Sequence, residues 1–367
     1  MLISSAFRCI GGSQAFNTSW VLQHTDAAFP QANDLSTRVC LLENVCFMNG
    51  SFVFYQDVTL RNAVPPYFMI DSFGQDFVKA GYRDEHWSPL VVSGSAPSDA
   101  VFDNNIWLFT KSSYSDNFGH LLIDDLMPVL SALTVFGLPS KGSNLLYDGC
   151  VDLGSVPSPY IANRTRSQVC FENYRKYSPF FLHGKTAVHV SELPAKKCFS
   201  TFIVGQSSAF SLRSLDLQRA STVRKARSLV VNALGLREEQ HTLNSTLVLL
   251  KRDGFQGPPG WPSLCNDVNQ FLVTLNLPLA TCVYPVDLSF ADQVRAVRKA
   301  RAIVAEHGTV AYTALFANDG AKLIVIGSSS ELKEVQILLF ISHIRVWYMT
   351  REQKDDLRGL LYLAHVQ

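Results

Sequence analysis

The chain of 367 residues reads as an α/β protein of two domains. Three observations carry that reading. Between Pro285 and Ile326 the hydrophobic period changes three times, which is how alternating buried strands and amphipathic helices look in a sequence. Upstream, residues 246–250 and 280–284 are short apolar runs separated by a helical pattern, so the C-terminal half alternates strand and helix as a parallel sheet requires. At roughly 100 to 200 residues per domain, the length leaves room for two cores.

The stretch 285–326 is the most regular. Phe290, Val294 and Val297 recur at helical spacing, with Asp292, Arg295, Arg298 and Lys299 on the other face. Residues 302–305 form an apolar run too short for a helix and bounded by charge, so they read as a buried parallel strand. Glu306, His307 and Gly308 follow at its carboxyl end. Residues 310–316 read as a covered helix, Asn318-Asp319-Gly320 as a turn and 322–326 as the next strand. Ligands of open α/β sheets gather beyond the carboxyl ends of strands, where a following helix offers free N–H groups to an anion. His307 and Gly308 occupy that place. Their bland reading is a tight turn with a solvated imidazole.

In chain order, residues 1–45 look polar and irregular, with Cys40 and Cys46 spaced for a local bridge or a packed strand pair. Residues 51–55 and 106–110 read as strands, and 62–98 give no firm period. Asn117 or Asp116 can cap a helix carrying Leu121, Leu122, Leu126, Val129, Leu130 and Leu133, with a kink or break expected at Pro128. On an α-helix His120 and Asp124, four apart, share a face. Residues 150–202 show scattered strands and loops. A helix over 213–234 ends at Gly235, and the polar segment 236–244 reads as the linker. The expected division is an α/β domain over 1–235, a second, Rossmann-like domain over 236–330 and a helical tail over 331–367.

A formal net charge of +1 gives no electrostatic case for nucleic acid or an anionic membrane, and the Arg224, Lys225 and Arg227 cluster reads as a solvated helix face. The nearest thing to a membrane span is 335–348, which is short and contains His343 and Arg345, so no transmembrane segment is expected. Residues 1–10 lack the form of a signal peptide. Eight cysteines without C-x-x-C spacing disfavour a metal site and permit disulfides, and sequons at Asn17, Asn49, Asn163 and Asn244 point with them to a secretory lumen, Golgi or endoplasmic reticulum.

Three polar groups stand where loops meet elements: His120 with Asp124 and Asp125, Arg252 after one C-domain strand, and His307 with Gly308 and Thr309 after another. Cationic and backbone donors suit a diphosphate, while a carboxylate with an imidazole suits proton transfer. No P-loop, G-x-G-x-x-G, G-x-S-x-G or D-x-D motif is present. The H-x-x-x-D pattern of acyltransferases matches His120 to Asp124, without the glycine that follows it there.

NFGHLLIDDLMP, followed much later by LSFADQVRAVRKARAIVAEHGTVAYTALFANDGAKLIVI, resembles glycosyltransferase family 61. The likeness spans roughly residues 40–326 and leans toward the animal branch of protein O-linked N-acetylglucosaminyltransferases, with plant xylan arabinosyl- and xylosyltransferases as relatives. It implies a GT-B arrangement, two Rossmann-like domains facing a cleft, and a metal-independent inverting transfer. It also implies a UDP-sugar donor and no resident cofactor. Asn117, His120 and Asp124 fall on its first motif, and Arg252, His307 and Gly308 on donor-side positions. An acceptor hydroxyl needs a proton acceptor, so Asp124 is read as the base, with His120 orienting it or sharing that role; Glu306 and Thr309 join the donor-binding set, and Asn117 and Asp125 the substrate-binding one. The acceptor is a hydroxyl of a glycan or glycoprotein. Two departures stand out. The basic residue about ten positions after Arg252 is replaced near Pro262, inside the insert GFQGPPGWP, and an HGAG-like turn reads His307-Gly308-Thr309-Val310. They leave open a second reading, a catalytically silent relative that binds a sugar nucleotide or glycan.

Overall fold

A computed structural model describes residues 7–10, 39–56, 68–69, 86–87, 89–111, 115–150, 155–158, 161, 163–205, 217–236, 245–251, 261, 263–327, 341 and 343–366. The chain is a mixed α/β protein with parallel sheet in each of two compact units. The first comprises Met1–Asp116, His120–Ser158 and Asn163–Asp216; the second comprises Asn117–Gly119, Pro159–Ala162 and Leu217–Gln367. The continuous stretch of the second unit thus begins with the helix that precedes the 236–244 segment.

In the first unit the strands are β1 (Phe7–Ile10), β2 (Val39–Met48), β3 (Ser51–Gln56), β4 (Leu90–Ser93), β5 (Phe102–Lys111), β6 (Asn144–Asp148), β7 (Val188–His189) and β8 (Lys196–Gly205). They form one sheet in the order β4-β3-β2-β8-β5-β6-β7, with β1 also on β2. Its β8-β5-β6-β7 half is parallel, whereas β2 runs antiparallel to β1, β3 and β8. Asn49 and Gly50, both at positive φ, make the two-residue hairpin turn between β2 and β3. Phe47, Phe52, Phe109, Phe199 and Phe202 pack as one aromatic cluster over this sheet.

Two expectations are corrected here. Residues 39–48 are one ten-residue strand inside the sheet, and Cys46 bonds to Cys198 directly across the β2/β8 ladder, so no local Cys40–Cys46 bridge forms. The polar Glu43-Asn44 pair hid this strand. Asn44, at φ 61°, drops out of the ladder while its neighbours Glu43 and Val45 stay paired. Residues 150–202 are also more regular than their sequence suggested. They hold helix α1 (Arg166–Phe181), opened by a capping box in which Thr165 and Gln168 exchange side-chain and backbone hydrogen bonds. Cys150–Cys170 ties this helix to the end of β6.

The helical run Phe118–Val135 changes its winding just before Pro128: a π-helical turn, Leu121–Leu126, gives way to the α-helix Met127–Val135, whose first turn holds Pro128. Among the described residues this run has the length and hydropathy of a membrane span, but 76% of it is buried inside the fold, and most of 335–348 lies outside the described residues.

The second unit is an all-parallel sheet of β9 (Thr246–Leu249), β10 (Thr281–Val283), β11 (Ala302–Glu306), β12 (Lys322–Gly327) and β13 (Arg345–Thr350), in the order β10-β9-β11-β12-β13. Numbered within the unit that is 2-1-3-4-5, a doubly wound order. Helices α2 (Leu217–Ala233), α3 (Leu264–Thr274), α4 (Phe290–Lys299) and α5 (Lys354–Val366) flank it. Leu264, Val268, Leu272, Leu357 and Leu361 place α3 and α5 on the face carrying Val248, Val304 and Ile324. Right-handed crossovers send α4 to the other face. The strands read from 246–250, 280–284, 302–305 and 322–326 are all present within a residue or two. The expected helical tail is different: it contributes the edge strand β13 before α5, because Trp347 and Met349 alternate toward the same apolar face.

Candidate functional site

In a 2-1-3-4-5 sheet the connections leave in opposite directions after strands 1 and 3, which opens a crevice at their carboxyl ends. In this unit that switch point lies between β9 and β11. Lys251 follows one strand, and Glu306, His307 and Gly308 end the other.

Glu306 is 1% exposed, not a solvated strand end. Its Oε2 accepts the Lys251 N–H at 2.8 Å and its Oε1 the Trp261 N–H at 2.6 Å. Arg351 Nη2 stands 3.5 Å from Oε1. One buried carboxylate therefore holds both ends of the segment that contains Arg252, and Arg252 itself lies outside the described residues, as does Pro262. His307 is half-buried with its Nε2 sealed from solvent, so the solvated imidazole of the bland reading is also corrected. Its N–H donates to Ile326 O at 2.7 Å, locking the end of β11 to β12. Gly308 adopts φ 104°, ψ −157°, a conformation that side chains rarely reach, although the space around it is open. The turn needs glycine for its backbone and not for room.

Asn117 belongs to this same unit. Its Oδ1 accepts from Thr309 Oγ1 at 2.6 Å and from the Gly119 N–H at 2.8 Å, capping the short helix Phe118–His120. A Cβ on Gly119 would lie 2.9 Å from both Thr309 Oγ1 and Tyr312 Cδ2, so glycine leaves the room these two side chains occupy. Phe118 packs edge-on against Phe290, and Phe290 against Phe316. The two sequence stretches singled out above, 192 residues apart at this contact, therefore meet through Asn117 and Thr309.

The remaining sequence-derived residues lie in the first unit. His120, half-buried, ends the short helix, and Asp124 lies within the π-helical turn, its side chain outside the described residues. Asp125 was expected to bind substrate, but it is fully buried within the fold. It accepts from Ser115 Oγ at 2.6 Å and Thr110 Oγ1 at 3.2 Å, and the Tyr174 hydroxyl lies 3.4 Å from that Ser115 oxygen. Burial first, and the Asp125 charge second, push the Tyr174 hydroxyl far above its ordinary range. Asp116 does not cap the helix; it takes a two-pronged bond from Arg166 at 2.7 and 2.9 Å. Ser115, Tyr174, Arg166, Trp261 and Arg351 were not singled out from the sequence. Most of their partners in these contacts are 45 or more residues away, and no local pattern marks them.

No family model and no curated protein matches this chain. Among solved structures it is similar over its whole length to 95% of the metal-soaked Flv1 flavodiiron core from Synechocystis sp. PCC6803, at 10% identity and a TM-score of 0.25, a likeness too slight to bear on fold or function.

Proposed function

We propose that the chain is a family 61 glycosyltransferase, a metal-independent inverting enzyme that moves a sugar such as N-acetylglucosamine or xylose from a UDP-sugar to a hydroxyl of a glycan or glycoprotein. The observation that carries this reading is the Asn117–Thr309 hydrogen bond, which joins the two motifs of the resemblance beside the switch point of a parallel sheet. In this reading the two units are the halves of a GT-B arrangement. The acceptor hydroxyl is a poor nucleophile at neutral pH and needs a proton acceptor within about 3 Å, which is the role given to Asp124 with His120. Arg252 and His307 stabilise the charge that develops on the departing diphosphate.

A secretory lumen fits the same reading. Disulfides at Cys46–Cys198, Cys150–Cys170 and Cys265–Cys282 are compatible with an oxidising compartment, and the sequons at Asn49 and Asn163 are exposed.

One observation favours a silent, nucleotide-sugar-binding relative. Both Glu306 oxygens and the Thr309 hydroxyl are already engaged within the unit. Isothermal titration with UDP, alongside a transfer and hydrolysis screen across UDP-sugars, separates the two. Asp124→Asn should cut turnover at least a hundredfold with UDP affinity retained, the general range for loss of an acid–base group. His307→Ala should weaken UDP binding. Binding without turnover in the unaltered chain selects the silent relative, and no UDP binding at all rejects both.

A further inference from the structure

Of the four sequons in the sequence, Asn49-Gly50-Ser51 is the one whose neighbours along the chain are all described, from Val39 to Gln56. It forms the tip of the β2/β3 hairpin, where Met48 pairs with Ser51 across the turn. A two-residue turn of this kind needs positive φ at both positions, and Asn followed by Gly reaches it at least cost. Asn49 stands at φ 49° and Gly50 at φ 86°. The turn thus accounts for Asn49 and Gly50. It does not ask for a hydroxyl at residue 51, and among the described residues the Ser51 hydroxyl makes no hydrogen bond.

The Asn49 side chain is equally unused. Its backbone N–H donates to Ala195 O at 2.9 Å, which fixes the turn against the residue before β8, but its side-chain amide has no partner among the described residues. Asn49 and Gly50 are both exposed, and a Cβ built on Gly50 meets no atom within 4 Å, so the space beyond the tip is open. Asn163 differs. It is exposed and at φ 60°, yet the hydroxyl of its sequon, on Thr165, is occupied in capping α1.

We propose that Asn49 is a site of N-linked glycosylation. The donor is an oligosaccharide carried on a polyprenyl diphosphate. Asn49 Nδ2 bonds to the anomeric carbon of the first sugar as the bond from that carbon to the diphosphate oxygen breaks. The diphosphate leaves with the electron pair, and the amide gives one proton to the base of the transferring enzyme. That enzyme reads the Ser51 hydroxyl two residues on. The proposal rests on the lumenal reading given above and not on sugar transfer by this chain. Its geometric consequence follows from the sheet. β5 and β8 run parallel away from this turn, and Asp125 meets Thr110 near the carboxyl end of β5. A glycan on Asn49 therefore lies at the amino-terminal end of these strands, away from Asp125, and keeps that end facing solvent.

The full chain, secreted from cultured animal cells behind an added cleavable signal sequence, tests this. Mass spectrometry of its intact glycopeptides is expected to place an N-acetylhexosamine-based glycan on Asn49 in most molecules. Ser51→Ala, a small change at a half-exposed position, should abolish that glycan, whereas Ser51→Thr should keep it. The Cys46–Cys198 and Cys150–Cys170 bonds, mapped on the same digest, report that the chain folded in an oxidising lumen. A bare Asn49 beside those bonds, or a glycan that survives Ser51→Ala, overturns the site alone. A bare Asn49 with free thiols at those cysteines overturns the site together with the lumenal reading beneath it.

Discussion

Glu306 holds the end of β9 and the start of the α3 approach with one carboxylate, each oxygen accepting one backbone N–H. Replacing it by Gln keeps the size and shape but turns one acceptor into an NH2 that faces a backbone donor. A buried donor left without an acceptor costs about 1–3 kcal/mol. Glu306→Gln should therefore lower the unfolding free energy from urea denaturation by that amount; a change under about 0.5 kcal/mol would mean that the two N–H groups find other acceptors. At Gly119 the limit is room. Gly119→Ala places a methyl 2.9 Å from Thr309 Oγ1 and Tyr312 Cδ2, and overpacking of this kind costs about 1–3 kcal/mol. At this scale the sequence marked His307-Gly308 and Asn117 as special because they stand next to elements, but it could not show which atoms they meet. Glu306 and Trp261 are 45 residues apart, and nothing local announces that one bonds the other.

Between elements, the longest disulfide among the described residues is Cys46–Cys198, which spans 152 residues and joins β2 to β8 in the sheet. Closing so long a loop in the unfolded chain is worth about 2–5 kcal/mol by general experience with native disulfides. A Cys46→Ala/Cys198→Ala chain should lose stability in that range under non-reducing conditions, and an unchanged denaturation midpoint would show that β2 and β8 hold without it. Elements whose burial is one-sided and unbroken were legible: α4, β11 and β12 follow their hydrophobic periods almost to the residue. Elements that mix their signals were not. Strand β2 carries Glu43 and Asn44 through a local break in the ladder, α1 holds Pro179 and few apolar residues, and β13 is an edge strand with half-exposed side chains. The Thr165-x-x-Gln168 pattern was the available signal for α1. The π-helical turn had none, since its sequence also fits an ordinary α-helix.

For the whole molecule, both units bury imidazoles in neutral form, and this sets its response to acid. Burial is the leading cause that lowers the pKa of His189 in the first unit and of His343 and His365 in the second. His343 is the strongest case, at about 4. Its Nε2 lies 3.1 Å from Leu315 O; Arg227 and Arg224 on α2 oppose a charge there, and Asp319 partly favours it. An unfolded histidine takes up a proton near 6.5, while the folded one resists until about pH 4. Below 6.5 the unfolded chain therefore binds more protons, and stability falls with falling pH. The contribution of His343 is complete above about pH 6.5 and is lost progressively toward pH 4, on the order of 3 kcal/mol. His189 and His365 add losses of the same sign. Urea midpoints taken between pH 7.5 and about 4.5 should slope downward, and His343→Asn should flatten that slope even if it lowers the midpoint at every pH. A variant with the slope of the unaltered chain would assign the acid response to the other two histidines.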